Sequence, residues 1–141
     1  MKKLHIFALL SLLAISIPSV LATTEPQKEA SDAEIRQKVV GVWIVDIYST
    51  NGGSIKGTVT IVSDSKFISK ATVTAGDKKQ EMNYEGIWQA KDGYLIETIT
   101  KSSSKIIPVG KVTRDKIIHV DDKELVFQTE SGKIVTRKRS Q

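Results

Sequence analysis

From residue 41 to the end of the chain, apolar and polar side chains alternate with a period of two, and turn residues interrupt the alternation at short intervals. That period belongs to strands half-buried against a core. The predicted strands are 42–50, 54–63, 66–75, 79–90, 94–101, 112–120, 123–129 and 133–139. Between them stand turn signals: Asn51-Gly52-Gly53, Asp64-Ser65, Gly76-Asp77-Lys78, Lys91-Asp92-Gly93, Ser102-Ser103-Ser104, Asp121-Asp122 and Glu130-Ser131-Gly132. The stretch 106–111 is a ninth strand or a loop, because Pro108 lacks the N–H that an interior strand needs. A kink is expected at Arg114-Asp115. Ahead of the strands the period is that of a helix. Ser31-Asp32-Ala33-Glu34 has the form of a capping box, Ile35 and Val39 lie four apart, and Gly41 ends the turn, predicting a helix over 32–39.

Tight turns and the lack of a second helix leave no room for parallel crossovers, so the strands pair as successive antiparallel hairpins. Such a meander closes most economically into an up-and-down barrel, which removes its edges. The expected fold is all-β: an eight-stranded barrel, nine if 106–111 pairs, preceded by one short helix. A two-sheet sandwich is the alternative. Trp43, Val45 and Ile47 share one face of the first strand. Ile55, Gly57, Val59 and Ile61 share a face of the second, and Met82, Tyr84, Gly86 and Trp88 a face of the fourth. Mid-strand Gly57 and Gly86 suit the bends that closure needs. With Ala71, they are also expected to leave interior space.

The N-terminal residues form a different pattern. Lys2-Lys3 precede an apolar run from Leu4 to Ile17, Pro18 breaks it, and Val20-Leu21-Ala22 ends in small residues. These are the regions of a secretory signal, 1–22, cut after Ala22. The run is shorter than the roughly 20 residues a spanning helix needs. Residues 23–30 read as a flexible leader and 31–141 as the barrel domain. The expected location is the periplasm or the extracellular medium.

The 141 residues include no cysteine, which excludes disulfides, thiolate metal sites and a cysteine nucleophile. Cleavage of the signal leaves 19 basic against 16 acidic residues, net +3. That mild excess, with export, argues against a nucleic-acid partner.

The short helix followed by Gly41-Val42-Trp43 at the head of the first strand resembles the lipocalin signature. In that family the tryptophan closes one end of the barrel and an arginine of the last strand packs across it. The resemblance implies Gly41, Trp43 and Arg137 as the closure, with Arg139 as the competing arginine. Gly86-Ile87-Trp88, Asp92-Gly93-Tyr94-Leu95 and Lys123-Glu124-Leu125-Val126-Phe127 resemble bacterial lipocalin-like domains in particular. The similarity covers about residues 31–139. Typical secreted lipocalins are longer and often carry disulfides, so large-cavity transport does not follow from it.

Candidate chemistry is sparse. His119 is the single histidine after Ala22, and no nucleophile-elbow pattern accompanies it, so it reads as an ordinary strand residue. Asp121, Asp122 and Glu124 lack the spacing of a calcium loop. Glu81, Glu85 and Glu97 are common surface types in strands, and no glycine-rich phosphate loop exists. Lys133, Arg137, Lys138 and Arg139 make the last strand basic, suited to discouraging edge pairing or to weak contact with an envelope surface. Glu97 is ambiguous: with Leu95 and Ile99 inward it is buried and can anchor a ligand, whereas with Tyr94, Ile96 and Thr98 inward it faces solvent. No cofactor, metal or catalytic group is expected. The reading is a non-enzymatic, monomeric, exported barrel that binds a small apolar or amphipathic ligand through Phe67, Tyr84, Trp88 and Glu97. The alternative is a filled barrel that acts through its outer surface or loops as an inhibitor or envelope-associated factor.

Overall fold

The computed structural model describes residues 28–141. The signal peptide and most of the leader read from the sequence lie outside the described residues. Helix α1 (Asp32–Lys38) begins at the expected capping box. Ser31 Oγ accepts the Glu34 N–H at 3.3 Å, and the Glu34 carboxylate accepts the Ser31 N–H at 2.9 Å. Both acidic residues of the helix lie in its first turn, where the helix dipole favours them.

Eight strands follow: β1 (Gly41–Tyr48), β2 (Ser54–Ile61), β3 (Lys66–Ala75), β4 (Lys78–Lys91), β5 (Tyr94–Ser102), β6 (Val112–Val120), β7 (Glu124–Gln128) and β8 (Ile134–Lys138). They form one sheet in sequential order, every neighbour antiparallel. The sheet curls until β8 returns to β1, which meet at a Trp43–Arg139 bridge. The result is a nearly closed up-and-down barrel. Residues 106–111 form no strand. Pro108 sits in a loop whose Gly110 N–H and Lys111 C=O both bond back to Ile99, and Ile107 packs against the core. The irregularity of β6 falls between Ile117 and His119, not at the expected Arg114-Asp115. The ladder to β5 holds Arg114 and Asp115 straight, opposite Ile96 and Leu95.

One hydrophobic cluster fills the barrel and extends under α1, where Ile35 and Val39 are fully buried. The helix is fastened to the β4–β5 turn. The Asp32 carboxylate accepts the N–H groups of Asp92 (3.0 Å) and Gly93 (2.8 Å), and Arg36 Nη2 donates to the Ala90 carbonyl at 3.3 Å. One end of the barrel is thus covered by the helix. The β5–β6 loop lies at the other.

The two mid-strand glycines mark close approaches between strands. A Cβ on Gly57 would collide with the Lys70 carbonyl and with Ala71. One on Gly86 would collide with the Thr98 carbonyl and lie 2.8 Å from Phe67 Cε1. The pairing of β4 with β5 shifts register at Glu85/Gly86. Glycine and bulge together bend the wall toward closure.

Candidate functional site

The helix-covered end is built on Trp43, which is 0% exposed. Its indole Nε1 donates to the Val39 carbonyl at 2.7 Å, tying strand to helix end. The guanidinium across it belongs to Arg139, with Cζ 4.2 Å from the ring centroid. Arg139 also donates to three carbonyls: Nη1 to Val40 (2.7 Å), and Nη2 to Lys38 (2.7 Å) and Asp121 (3.3 Å). Gly41 makes this possible. Its φ of 143° is a conformation that L side chains rarely adopt, and a Cβ there would collide with Arg139 Nη1. The closure expected from Gly41 and Trp43 is present, but its arginine is Arg139 rather than Arg137. Both arginines point to the same side of the last strand, so alternation does not separate them. Height along the barrel does: Arg139 lies opposite Trp43 and Arg137 lies opposite Leu125.

The aromatic side chains of the fourth strand do not frame a gap. Phe67 is 0% exposed and stands edge-on to Tyr84, ring centroids 6.1 Å apart at 73°. Its ring and the Thr98 carbonyl occupy the place beside Gly86 where interior space was expected. Trp88 is buried, and its Nε1 donates to the Val62 carbonyl at 2.9 Å. Phe67, Tyr84 and Trp88 therefore form packed wall and core at this level. A hollow of about 490 Å³ does touch Phe67 and Gly86, but Lys66, Ile68, Glu85 and Lys101 flank it on the outer side of the sheet.

Glu97 faces inward, with Leu95 and Ile99, and is 8% exposed. Its β6 partner in the ladder is Thr113; Asp115 is the partner of Leu95 and points the same way. Arg137, on β8, lies over the Phe127 ring at 4.9 Å. Three polar atoms in this group are buried without a hydrogen-bond partner: Glu97 Oε1, Thr113 Oγ1 and Arg137 Nε. Among the described residues, Arg137 makes no ion pair with Glu97 or Asp115. It is nevertheless near enough to act on both. Burial pushes the Glu97 carboxyl above its usual range; the Arg137 charge opposes the rise, and the Asp115 charge adds to it. Burial likewise raises Asp115, again opposed by Arg137. The arrangement offers hydrogen-bond donors and acceptors to an enclosed group. Glu81 and Glu85 are engaged elsewhere, by Thr72 (3.0 Å) and Lys101 (2.6 Å). His119 bonds to Asp121 at 3.1 Å near α1.

Thr113 and Asp115 were not singled out from the sequence. The signal was present: Thr113, Asp115 and Ile117 alternate, and the apolar Ile117 marks the inward face. The expected kink hid it.

The wall beside Arg137 is where, among the described residues, the ladder is not closed. Among the described residues, the β1–β8 ladder is confined to the Trp43–Arg139 bridge and a 2.8 Å bond from the Ser140 N–H to the Val42 carbonyl. Continuing that register would place Val45 opposite Arg137 and Ile47 opposite Val135, and neither pair forms. The seam between β1 and β8 carries no ladder pairing at the level of the polar group.

No family profile matches the chain, and no curated protein matches it in sequence. Among solved structures, the chain is similar to one described as a de novo design of a fluorescence-activating beta barrel. The two share 16% sequence identity with a TM-score of 0.46, and the match covers 79% of this chain and 100% of that one.

Proposed function

We propose that this is an exported, lipocalin-like binding protein that takes a small amphipathic molecule into its barrel. The polar end of that molecule would sit among Glu97, Thr113 and Arg137. The observation that supports this reading is the set of three buried, unpartnered polar atoms on inward faces of β5, β6 and β8. Each such atom costs about 1–3 kcal/mol when left unmet. An interior meant only to be filled would carry apolar side chains there, as it does around Phe67. The Gly41-Val42-Trp43 closure with an arginine from the end of the last strand supports the lipocalin-like assignment. Lys2-Lys3, the short apolar run and Val20-Leu21-Ala22 support export.

The ligand's apolar part would lie along Val45, Ile47 and Val135 at the seam. Burying about six methylenes supplies about 5 kcal/mol, and association costs of about 4–15 kcal/mol offset much of it. Affinity is therefore micromolar at best without the polar contact. Native mass spectrometry of the protein recovered from the exported fraction, followed by tryptophan-emission titration with ten-carbon amphiphiles, tests the reading. Binding that disappears in Thr113→Leu, with circular dichroism unchanged, supports it. If nothing co-purifies and no amphiphile binds, the filled barrel acting through its outer surface becomes the better account.

A further inference from the structure

We infer that the ligand's polar end is a neutral group that both donates and accepts hydrogen bonds, an alcohol or a primary amide, rather than a carboxylate or an amine. The inference rests on the proposed interior site and specifies its ligand class.

The interior holds one cation and two carboxylates, Arg137 against Glu97 and Asp115, with no ion-pair contact among them. A carboxylate drawn to Arg137 would enter the field of Glu97 and Asp115. An ammonium drawn to Glu97 would enter the field of Arg137. Either head would also lose its hydration, and a buried charge is tolerated only when its partner geometry compensates for that loss. Here each attractive partner comes with a repulsive one.

The unpartnered atoms are of opposite hydrogen-bond sense. Glu97 Oε1 is an acceptor when the carboxylate is ionised, and Arg137 Nε–H is a donor whatever the pH. A hydroxyl or primary amide that reached both would donate to the first and accept from the second. Thr113 Oγ1, on the strand next to Glu97, serves in either role and completes the set. A neutral head satisfies three buried polar atoms without bringing a charge inside. A site built to hydrogen-bond a particular group discriminates strongly against analogues that leave its atoms unmet.

The experiment compares four ten-carbon compounds that differ only in the head: decanol, decanamide, decanoate and decylamine. Each displaces an environment-sensitive apolar dye from the full mature chain at neutral pH. Decanol and decanamide are expected to bind at least about tenfold more tightly than decanoate and decylamine, a difference of about 1.4 kcal/mol. Glu97→Leu and Arg137→Met are each expected to weaken decanol by about tenfold while leaving the dye's own affinity within about twofold. Glu85→Gln, on the outer face, is the control and should change neither. Decanoate binding as well as decanol would mean that Arg137 acts as a plain anion site, and the inference fails. Decylamine binding best would mean that the carboxylates act as a plain cation site, and it fails equally. In both cases the interior site survives. If none of the four displaces the dye, the interior site itself is wrong and the inference falls with it.

Discussion

Arg137 and Arg139 stand two residues apart on the same side of one strand, and the barrel treats them in opposite ways. Arg139 lies over Trp43 and reaches three carbonyls, with its buried Nε–H unmet. Arg137 has the Phe127 ring below it, an unmet Nε–H, and two carboxylates that it does not touch. The difference follows from what surrounds each. At the covered end, a helix terminus and a turn present bare carbonyls, and a guanidinium with five donors is the side chain best suited to them. At the next level down, β1 and β8 are not laddered, and the buried Arg137 Nε–H has no acceptor. The same residue type is therefore a structural fastener at one height and an available binding group at the other.

The contrast is sharpest in stability. Trp43→Ala should cost about 3–5 kcal/mol, through a large cavity and the lost bond to Val39. Arg139→Ala should cost about 2–4 kcal/mol, since it strands three carbonyls and removes the stack on Trp43. Arg137→Met, in the absence of ligand, should change stability by less than about 1 kcal/mol in either direction, because a half-buried cation without an ion-pair partner is replaced by an apolar side chain. Denaturant midpoints for the three variants measure this order. Equal losses at the two arginines would erase the distinction.

The unladdered seam can be tested chemically because the chain has no cysteine. Asp46→Cys with Thr136→Cys places two thiols on the outer face across the seam, in the register that the Trp43–Arg139 bridge would extend. Ile44→Cys with Thr58→Cys places two across the laddered β1–β2 edge. A disulfide needs Cα atoms within about 7 Å and facing Cβ vectors, which ladder register enforces on the β1–β2 pair and which no ladder enforces across the seam. The seam pair should oxidise at least about tenfold more slowly. Equal rates would show that the seam is zipped in solution.

The smallest effect is in pH dependence, and the two regions have opposite signs. Glu97 and Asp115 have raised carboxyl pKa values, so the folded chain binds more protons than the unfolded one. Their contribution is fully present below the ordinary carboxylate pKa and is lost as pH rises through the raised folded value. Asp32, Glu34 and Asp121, held low chiefly by backbone N–H groups, contribute above the ordinary value, and their contribution is lost as pH falls. Thermal melts across acid to neutral pH should therefore show Glu97→Gln gaining on wild type as pH rises and Asp32→Asn losing most of its deficit in acid. A Glu97→Gln curve parallel to wild type would place Glu97 in solvent.

The strands were legible because their residues alternate against a single core. The capping box and Lys91-Asp92-Gly93 were legible because each acts within a few residues of itself. Gly41 and Trp43 were legible for the same reason, as a short motif at a strand start. Glu97 was half-legible: alternation left two faces, and only pairing with Thr113 chose between them. Phe67, Tyr84 and Trp88 were correctly placed inside but not beside a gap. Whether a mid-strand glycine leaves a void or admits a neighbour depends on a strand that is distant in sequence.

Periodicity, turn chemistry and capping are local, and from them came the run of strands as eight or nine, their sequential order, most of their inward faces and the helix that precedes them. Which arginine meets Trp43, whether Gly86 opens or closes space, and that Glu97, Thr113 and Arg137 all carry buried unpartnered atoms depend on distances across the folded sheet. Those distances are set by how far the sheet curls and where its last strand stops short of the first. Curl and closure sum small twists over the whole ladder, so no segment of the chain contains them.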